Sequence, residues 1–151
     1  GALLHDLLPK EAEISVLPDD SPASWDTINQ ADLFAGNTSV RLHLPVATLA
    51  VILNHLLQPF DESFAAADFG TGIIRFNFAA DEAQSIALIK QMRAEAAAVG
   101  GNLFIERAAP EIKNQLGAWN EVSDLAKLMR GVKRNFDPES LLNPGRFVAG
   151  I

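Results

Sequence analysis

From residue 39 onward the apolar positions switch between two rhythms. Residues 39–44 (SVRLHL) alternate polar and apolar with period two, which predicts a half-buried strand. Pro45 stops it. Val46, Leu49, Ala50, Leu53 and Leu57 then recur at helical spacing and predict an amphipathic helix over 46–57, ended by Pro59. Residues 64–69 and 72–78 are apolar runs around Gly70-Thr71. They predict a β-hairpin in which glycine supplies a left-handed turn conformation. Asp81 and Glu82 stand where negative charge favours a helix start. Ile86, Ile89, Met92, Ala96 and Val99 form one stripe of a long helix closed by Gly100-Gly101. Residues 103–106 predict a further strand. The order strand, helix, strand, strand, helix, strand is the split βαβ arrangement. It predicts an α+β, ferredoxin-like fold: an antiparallel four-stranded sheet with helices on one face.

The flanks are less regular. Residues 13–17 (EISVL) alternate enough for one strand, and Ser24 suits the cap of a short helix from Trp25 to about residue 33. Residues 1–37 are therefore expected to be an N-terminal extension packed on a 38–107 core. Residues 108–151 follow as C-terminal helices and a tail, all within one structural domain. Pro110 suits the first turn of a short helix ended by Gly117. A second helix is predicted over 121–136, with Leu125, Leu128, Met129, Val132 and Phe136 as its buried stripe. Asp137-Pro138 ends it, because a residue before proline avoids the helical region.

Composition narrows the function classes. The chain has 151 residues, 48% hydrophobic and 21% charged, an ordinary globular balance. Its net charge of −7 and pI near 4.8 argue against general binding to nucleic acid or anionic membrane surfaces. The charge is uneven. Residues 1–37 carry seven acids against Lys10 alone, whereas 127–146 carry Lys127, Arg130, Lys133, Arg134 and Arg146 against Asp137 and Glu139. That basic end suits either an anionic partner or a solvated helix face with cations near a helix C-terminus. The absence of cysteine excludes disulfides, thiol catalysis and cysteine-ligated metal centres. His5, His43 and His55 are scattered, so no metal site is expected. No apolar run approaches a membrane span and no signal peptide is visible. The start on Gly1-Ala2 fits a piece of a longer chain or a cloning remnant.

The alternation in the sheet offers one cluster. Val40, Leu42 and Leu44 point to one face of the first strand, and Arg41 and His43 to the other. Ile74, Phe76 and Phe78 share a face of the third strand, opposite Arg75 and Asn77. These strands are central neighbours in this fold. Arg41, His43, Arg75 and Asn77 are thus expected together on the sheet face that the helices leave open. Two arginines suit bidentate binding of a carboxylate, and a histidine beside them suits general-base work. The plainer reading is a solvent-facing sheet surface. Gly70, Gly72, Gly100 and Gly101 make no phosphate-binding pattern and read as hairpin and helix-end glycines. No G-x-S-x-G elbow is present. Trp25 and Trp119 suit core or interface anchors better than cofactor stacking.

Residues 128–148 (LMRGVKRNFDPESLLNPGRFV) add a motif: a basic amphipathic helix, Phe-Asp-Pro, a leucine-containing spacer, then Asn-Pro-Gly and a basic residue. In order and spacing this resembles the closing segment of FAD-linked oxidases of the vanillyl-alcohol-oxidase-like superfamily. Within it, the nearest resemblance is to the FAD-binding subunits of glycolate oxidases, also called glycolate dehydrogenases. Trp25 with SVRLHLPVATL, DFGTGIIRF (68–76) and ERAAPEIKNQLGAW (106–119) resemble further segments of those subunits, so the likeness runs from Trp25 to Val148.

The resemblance implies a cap domain over the ring of FAD, with the cofactor held mainly by an N-terminal FAD domain whose glycine-rich loops this chain lacks. It implies a 2-hydroxy-acid substrate such as glycolate. It also implies two partners, a second flavoprotein subunit and an iron–sulfur subunit. Asn143 and Arg146 become the cofactor-proximal positions, Arg41, Arg75 and Asn77 the substrate-binding ones, and His43 a weak candidate for the base. The expected setting is cytoplasmic, with any membrane contact made through partner subunits, and the isolated chain is expected to be inactive. Two other functions fit the sequence: a module that docks the other oxidase subunits, and an independent ferredoxin-like domain that binds a small ligand.

Overall fold

The computed structural model describes residues 36–57, 63–120, 123–145 and 151. The strand predicted at 13–17, the helix from Trp25, and His5 lie outside the described residues.

Four strands form one antiparallel sheet: β1 (Thr38–His43), β2 (Ser63–Asp68), β3 (Ile73–Phe78) and β4 (Asn102–Arg107), in the order β2-β3-β1-β4. β1 and β3 are the central pair, as expected. Helix α1 (Leu49–Leu57) packs across β2 and β3, and α2 (Glu82–Ala98) across β4 and β1. Two more helices follow, α3 (Pro110–Leu116) and α4 (Ser123–Phe136). The alternation in the strands explains the layering. Val40, Leu42, Ile74, Phe76, Phe78 and Leu103 are fully buried between the sheet and Ile89, Met92 and Ala96 of α2. At about 1.5–3 kcal/mol for each large apolar side chain buried, this one face carries most of the driving force for folding.

Local signals fix the element ends. Asp81 accepts a hydrogen bond from the Gln84 amide while the Gln84 side chain reaches back to the Asp81 amide, a capping box that starts α2. Gly100, with φ +77°, ends it.

Three expectations change in detail. Residues 46–48 form a 3-10 turn, tightened by Thr48 Oγ1 donating to the Pro45 carbonyl, so the α-helix begins only at Leu49. In the hairpin the left-handed glycine is Gly72, at φ +79°, not Gly70. Asp68 explains the difference: its carboxylate accepts from the Gly70 amide and the Thr71 hydroxyl, and its carbonyl accepts from the Gly72 amide, which closes the turn at Gly72. The third concerns α4. Its predicted buried stripe is solvent-facing: Leu128 is 61% exposed and Phe136 83%, with Val132 exposed too, while the side chain of Leu125 lies outside the described ones. Of that stripe Met129 is half-buried, and Ala126 on the same helix is buried. Apolar periodicity reveals a stripe but not what covers it.

Candidate functional site

The open face of the sheet is built by cross-strand register. Arg41 on β1 lies directly opposite Arg75 on β3 and, on its other side, Phe104 on β4. One row along, Ser39 pairs with Asn77, and one row the other way His43 pairs with Ile73 and Asn102. The four predicted residues, Arg41, His43, Arg75 and Asn77, therefore share this face. They differ in exposure. Arg41 and Arg75 are half-buried, His43 is exposed, and Asn77 is only 1% exposed, so Asn77 belongs to the covered end of the face.

Glu106 and Phe104, which the sequence did not single out, complete the cluster together with Trp119. The Glu106 carboxylate lies 3.2 Å from Arg41 Nε, although the N–H is not aimed at it, so the attraction is electrostatic. The Arg41 guanidinium carbon stands 5.7 Å from the centre of the Phe104 ring, within cation–π range. Phe104 also meets His43 edge-on at 5.0 Å and Trp119 edge-on at 4.9 Å. Trp119 is brought there by the segment after α3, which runs along β4: the Ile105 amide donates to the Ala118 carbonyl, and Arg93 of α2 donates to the carbonyls of Leu116 and Gly117. Trp119 thus packs edge-on against Phe104 on the open face. A cross-strand cation next to an aromatic was the available signal for Phe104; nothing in the pattern marked Glu106.

The electrostatics are lopsided. Arg41 has Glu106; Arg75 has no carboxylate partner among the described residues, and its Nε is buried without an acceptor there. Partial desolvation of the ring, then the Arg41 charge, hold the His43 imidazole below its ordinary value, while Glu106 pulls it upward. The ring is therefore neutral at neutral pH and able to accept a proton. Chemically, the face presents two guanidinium forks and a neutral imidazole. That set suits a small carboxylate.

The tail is a second feature. Asp137 at the end of α4 accepts from the amides of Leu141 and Leu142 and pairs with Lys133, which also donates to the Leu142 carbonyl. This knot presents the Asn143-Pro144-Gly145 turn, with Asn143 exposed and left-handed at φ +47°. No described contact ties Asn143 to the sheet face, and Arg146 lies outside the described residues. His55 is exposed on α1.

A family model described as FAD linked oxidases, C-terminal domain, matches residues 44–147. The chain belongs to this FAD-linked oxidase family. The match begins just after β1 and runs through the Asn-Pro-Gly turn, so it takes in Arg75, Glu106 and Asn143 but not Arg41 or His43. No curated protein matches the chain, and no solved structure does.

The family implies FAD, and the described glycines test whether the dinucleotide fits here. A Cβ on Gly72 would sit 2.3 Å from the Leu44 carbonyl oxygen, and one on Gly101 2.6 Å from that of His43. Their missing side chains make room for the chain's own backbone, not for a pyrophosphate. Among the described residues, neither of these two glycines marks a dinucleotide site. Among the same residues no group of histidine and acidic side chains suits a metal ion, and no helix is long and apolar enough to cross a membrane.

Proposed function

We propose that this chain is the cap, or substrate-side, domain of an FAD-dependent oxidoreductase subunit that oxidises a 2-hydroxy acid such as glycolate, and that it is not catalytic alone. The observation that carries the proposal is the Arg41–Arg75 pair: two neighbouring guanidinium groups on the open face of a domain from an FAD-linked oxidase family, each with a buried Nε lacking an acceptor among the described residues. A buried, unmet charged donor costs free energy unless a ligand meets it. A carboxylate bridging the two forks would meet it with charge-assisted bonds.

In this reading Arg41 and Arg75 hold the substrate carboxylate, Asn77 closes the covered end of the site, and His43 is the candidate group for taking up a proton. FAD supplies the electron acceptor when bound. It is held mainly by an N-terminal FAD domain, with Asn143 and Arg146 on the approach to it. A second flavoprotein subunit and an iron–sulfur subunit complete the assembly in a cytoplasmic setting, where they pass the electrons on. The choice of glycolate rests on the resemblance in the tail and in residues 68–76 and 106–119.

The test is to combine the chain with an N-terminal FAD domain of this family and measure flavin retention and glycolate-dependent dye reduction. Retention of a yellow flavin and dye reduction that both need the chain are expected. A combined preparation that keeps no flavin and reduces no dye with any 2-hydroxy acid would sink the proposal.

A second reading has its own observation. Leu128, Val132, Phe136, Leu141 and Leu142 form an exposed apolar stripe on α4 and the tail, interleaved with Lys127, Arg130 and Arg134. Such a stripe suits a subunit-docking surface. Co-purification of the chain with the iron–sulfur subunit would support it, and no association at any salt concentration would rule it out.

A further inference from the structure

The ladder between β1 and β4 contains one irregularity. Val40 pairs with Ile105, but the next residue of β1, Ser39, pairs with Arg107. β4 therefore carries one extra residue at this point, and that residue is Glu106. Such bulges bend a strand and re-aim a side chain, and they gather beside functional sites. This one is braced. Lys113 of α3 donates to the Glu106 carbonyl at 2.9 Å, and Arg107 donates to the Gly36 carbonyl at 3.2 Å.

The Glu106 side chain, which alternation with the buried Leu103 and Ile105 puts on the open face beside Phe104, meets Arg41. With Arg75 on β3, Arg41 on β1 and Glu106 on β4, the carboxylate lies on the side of Arg41 away from Arg75. Like charges directly opposite on a sheet repel. The attraction to Glu106 and the Phe104 ring beneath draw the Arg41 guanidinium toward β4 and hold the two forks apart. Arg41 donates no aligned hydrogen bond among the described residues, so its donors stay available while its position is fixed.

We infer that Glu106, on the open face at the β4 bulge, is a positioning residue: it holds the Arg41 guanidinium so that Arg41 and Arg75 together receive a carboxylate. This rests on the anion site proposed above, and it makes a prediction that simple electrostatics reverses. Glu106 is an anion beside an anion site. If it acted only through its charge, removing it would tighten anion binding. If it positions Arg41, removing it weakens binding.

The experiment uses the full chain and oxalate as probe. Calorimetry on wild type, Glu106→Gln, Glu106→Asp and Arg41→Met is paired with nuclear magnetic resonance of the Arg41 Nε–H order and of His43 titration. Glu106→Gln should weaken oxalate binding by about fivefold or more, as expected on losing the orientation of a charge-assisted contact. It should also loosen the Arg41 Nε–H, and Glu106→Asp should restore part of both. The fall in His43 titration when Glu106 is neutralised reports that the variant has kept the local geometry. Unchanged or tighter oxalate binding by Glu106→Gln, with Arg41→Met still abolishing it, overturns the positioning role and leaves the anion site standing. Failure of the wild type to bind oxalate overturns both.

Discussion

Arg41 and Arg75 face each other directly across the β1–β3 ladder, and neither donates an aligned hydrogen bond to an acceptor among the described residues. A sheet that needed only stability would not place two cations there. Replacing Arg75 by Met keeps an unbranched stem to cover the sheet and removes the repulsion and the unmet donor. Arg75→Met should therefore raise stability by about 0.2–1 kcal/mol in the absence of ligand, measured by denaturant unfolding, while abolishing carboxylate binding. Loss of stability without any effect on binding would return the pair to a surface role.

His43 gives a pH prediction. Its folded value is lowered, so the unfolded chain binds a proton more readily. Its contribution is neutral above the ordinary value of 6.5; stability falls as pH drops below it and levels off below the folded value. Unfolding curves compared between wild type and His43→Gln across this range isolate the effect: the variant should lose less stability on acidification. Because the Arg41 charge is one cause, Arg41→Met should move the His43 titration upward.

The knot at the end of α4 has the opposite sign. The hydrogen bond from Lys133, and then those from the Leu142 and Leu141 amides, hold the Asp137 carboxyl below its ordinary value of 3.8. Its ordering of the tail is present above that value and lost as pH falls through the lower, folded one. Asp137→Asn should mimic acid at neutral pH, speeding amide exchange at Leu141 and Leu142 by about tenfold with little change in global unfolding.

Glycine substitutions separate conformation from space. Gly72 and Gly100 both have positive φ. A Cβ on Gly72 would strike the Leu44 carbonyl, whereas one on Gly100 meets nothing within 4 Å. Gly100→Ala should cost about 1 kcal/mol from backbone preference alone. Gly72→Ala should cost about 2 kcal/mol or more, since strand β1 must also shift. Thermal unfolding of the two variants checks the ranking.

Period-two alternation placed Arg41, His43, Arg75 and Asn77 on one face, and strand order made them neighbours, because a sheet's side-chain geometry is nearly rigid once register is set. Glu106 was not legible. Alternation with Leu103 and Ile105 puts it on the Phe104 face, but the residues of β4 alone do not say that its carboxylate meets Arg41 across the ladder. The hairpin glycine was misplaced by two positions because Asp68 side-chain bonds, not glycine spacing, decide where the turn closes. The stripe of α4 was found but its covering was not: amphipathicity belongs to the helix, whereas burial belongs to its neighbours.

On the function proposed above, this open face is the substrate side of a flavin-dependent 2-hydroxy-acid oxidoreductase. The most direct test is steady-state dye reduction by glycolate, with the chain combined with an N-terminal FAD domain of the family, comparing wild type with Arg41→Met and Arg75→Met at measured flavin content. Equal flavin content is expected, with a KM for glycolate raised by about tenfold or more in each variant, the loss that follows from one charge-assisted contact to the carboxylate. Unchanged KM in both variants, with flavin retained and the wild type active, would contradict the proposed function.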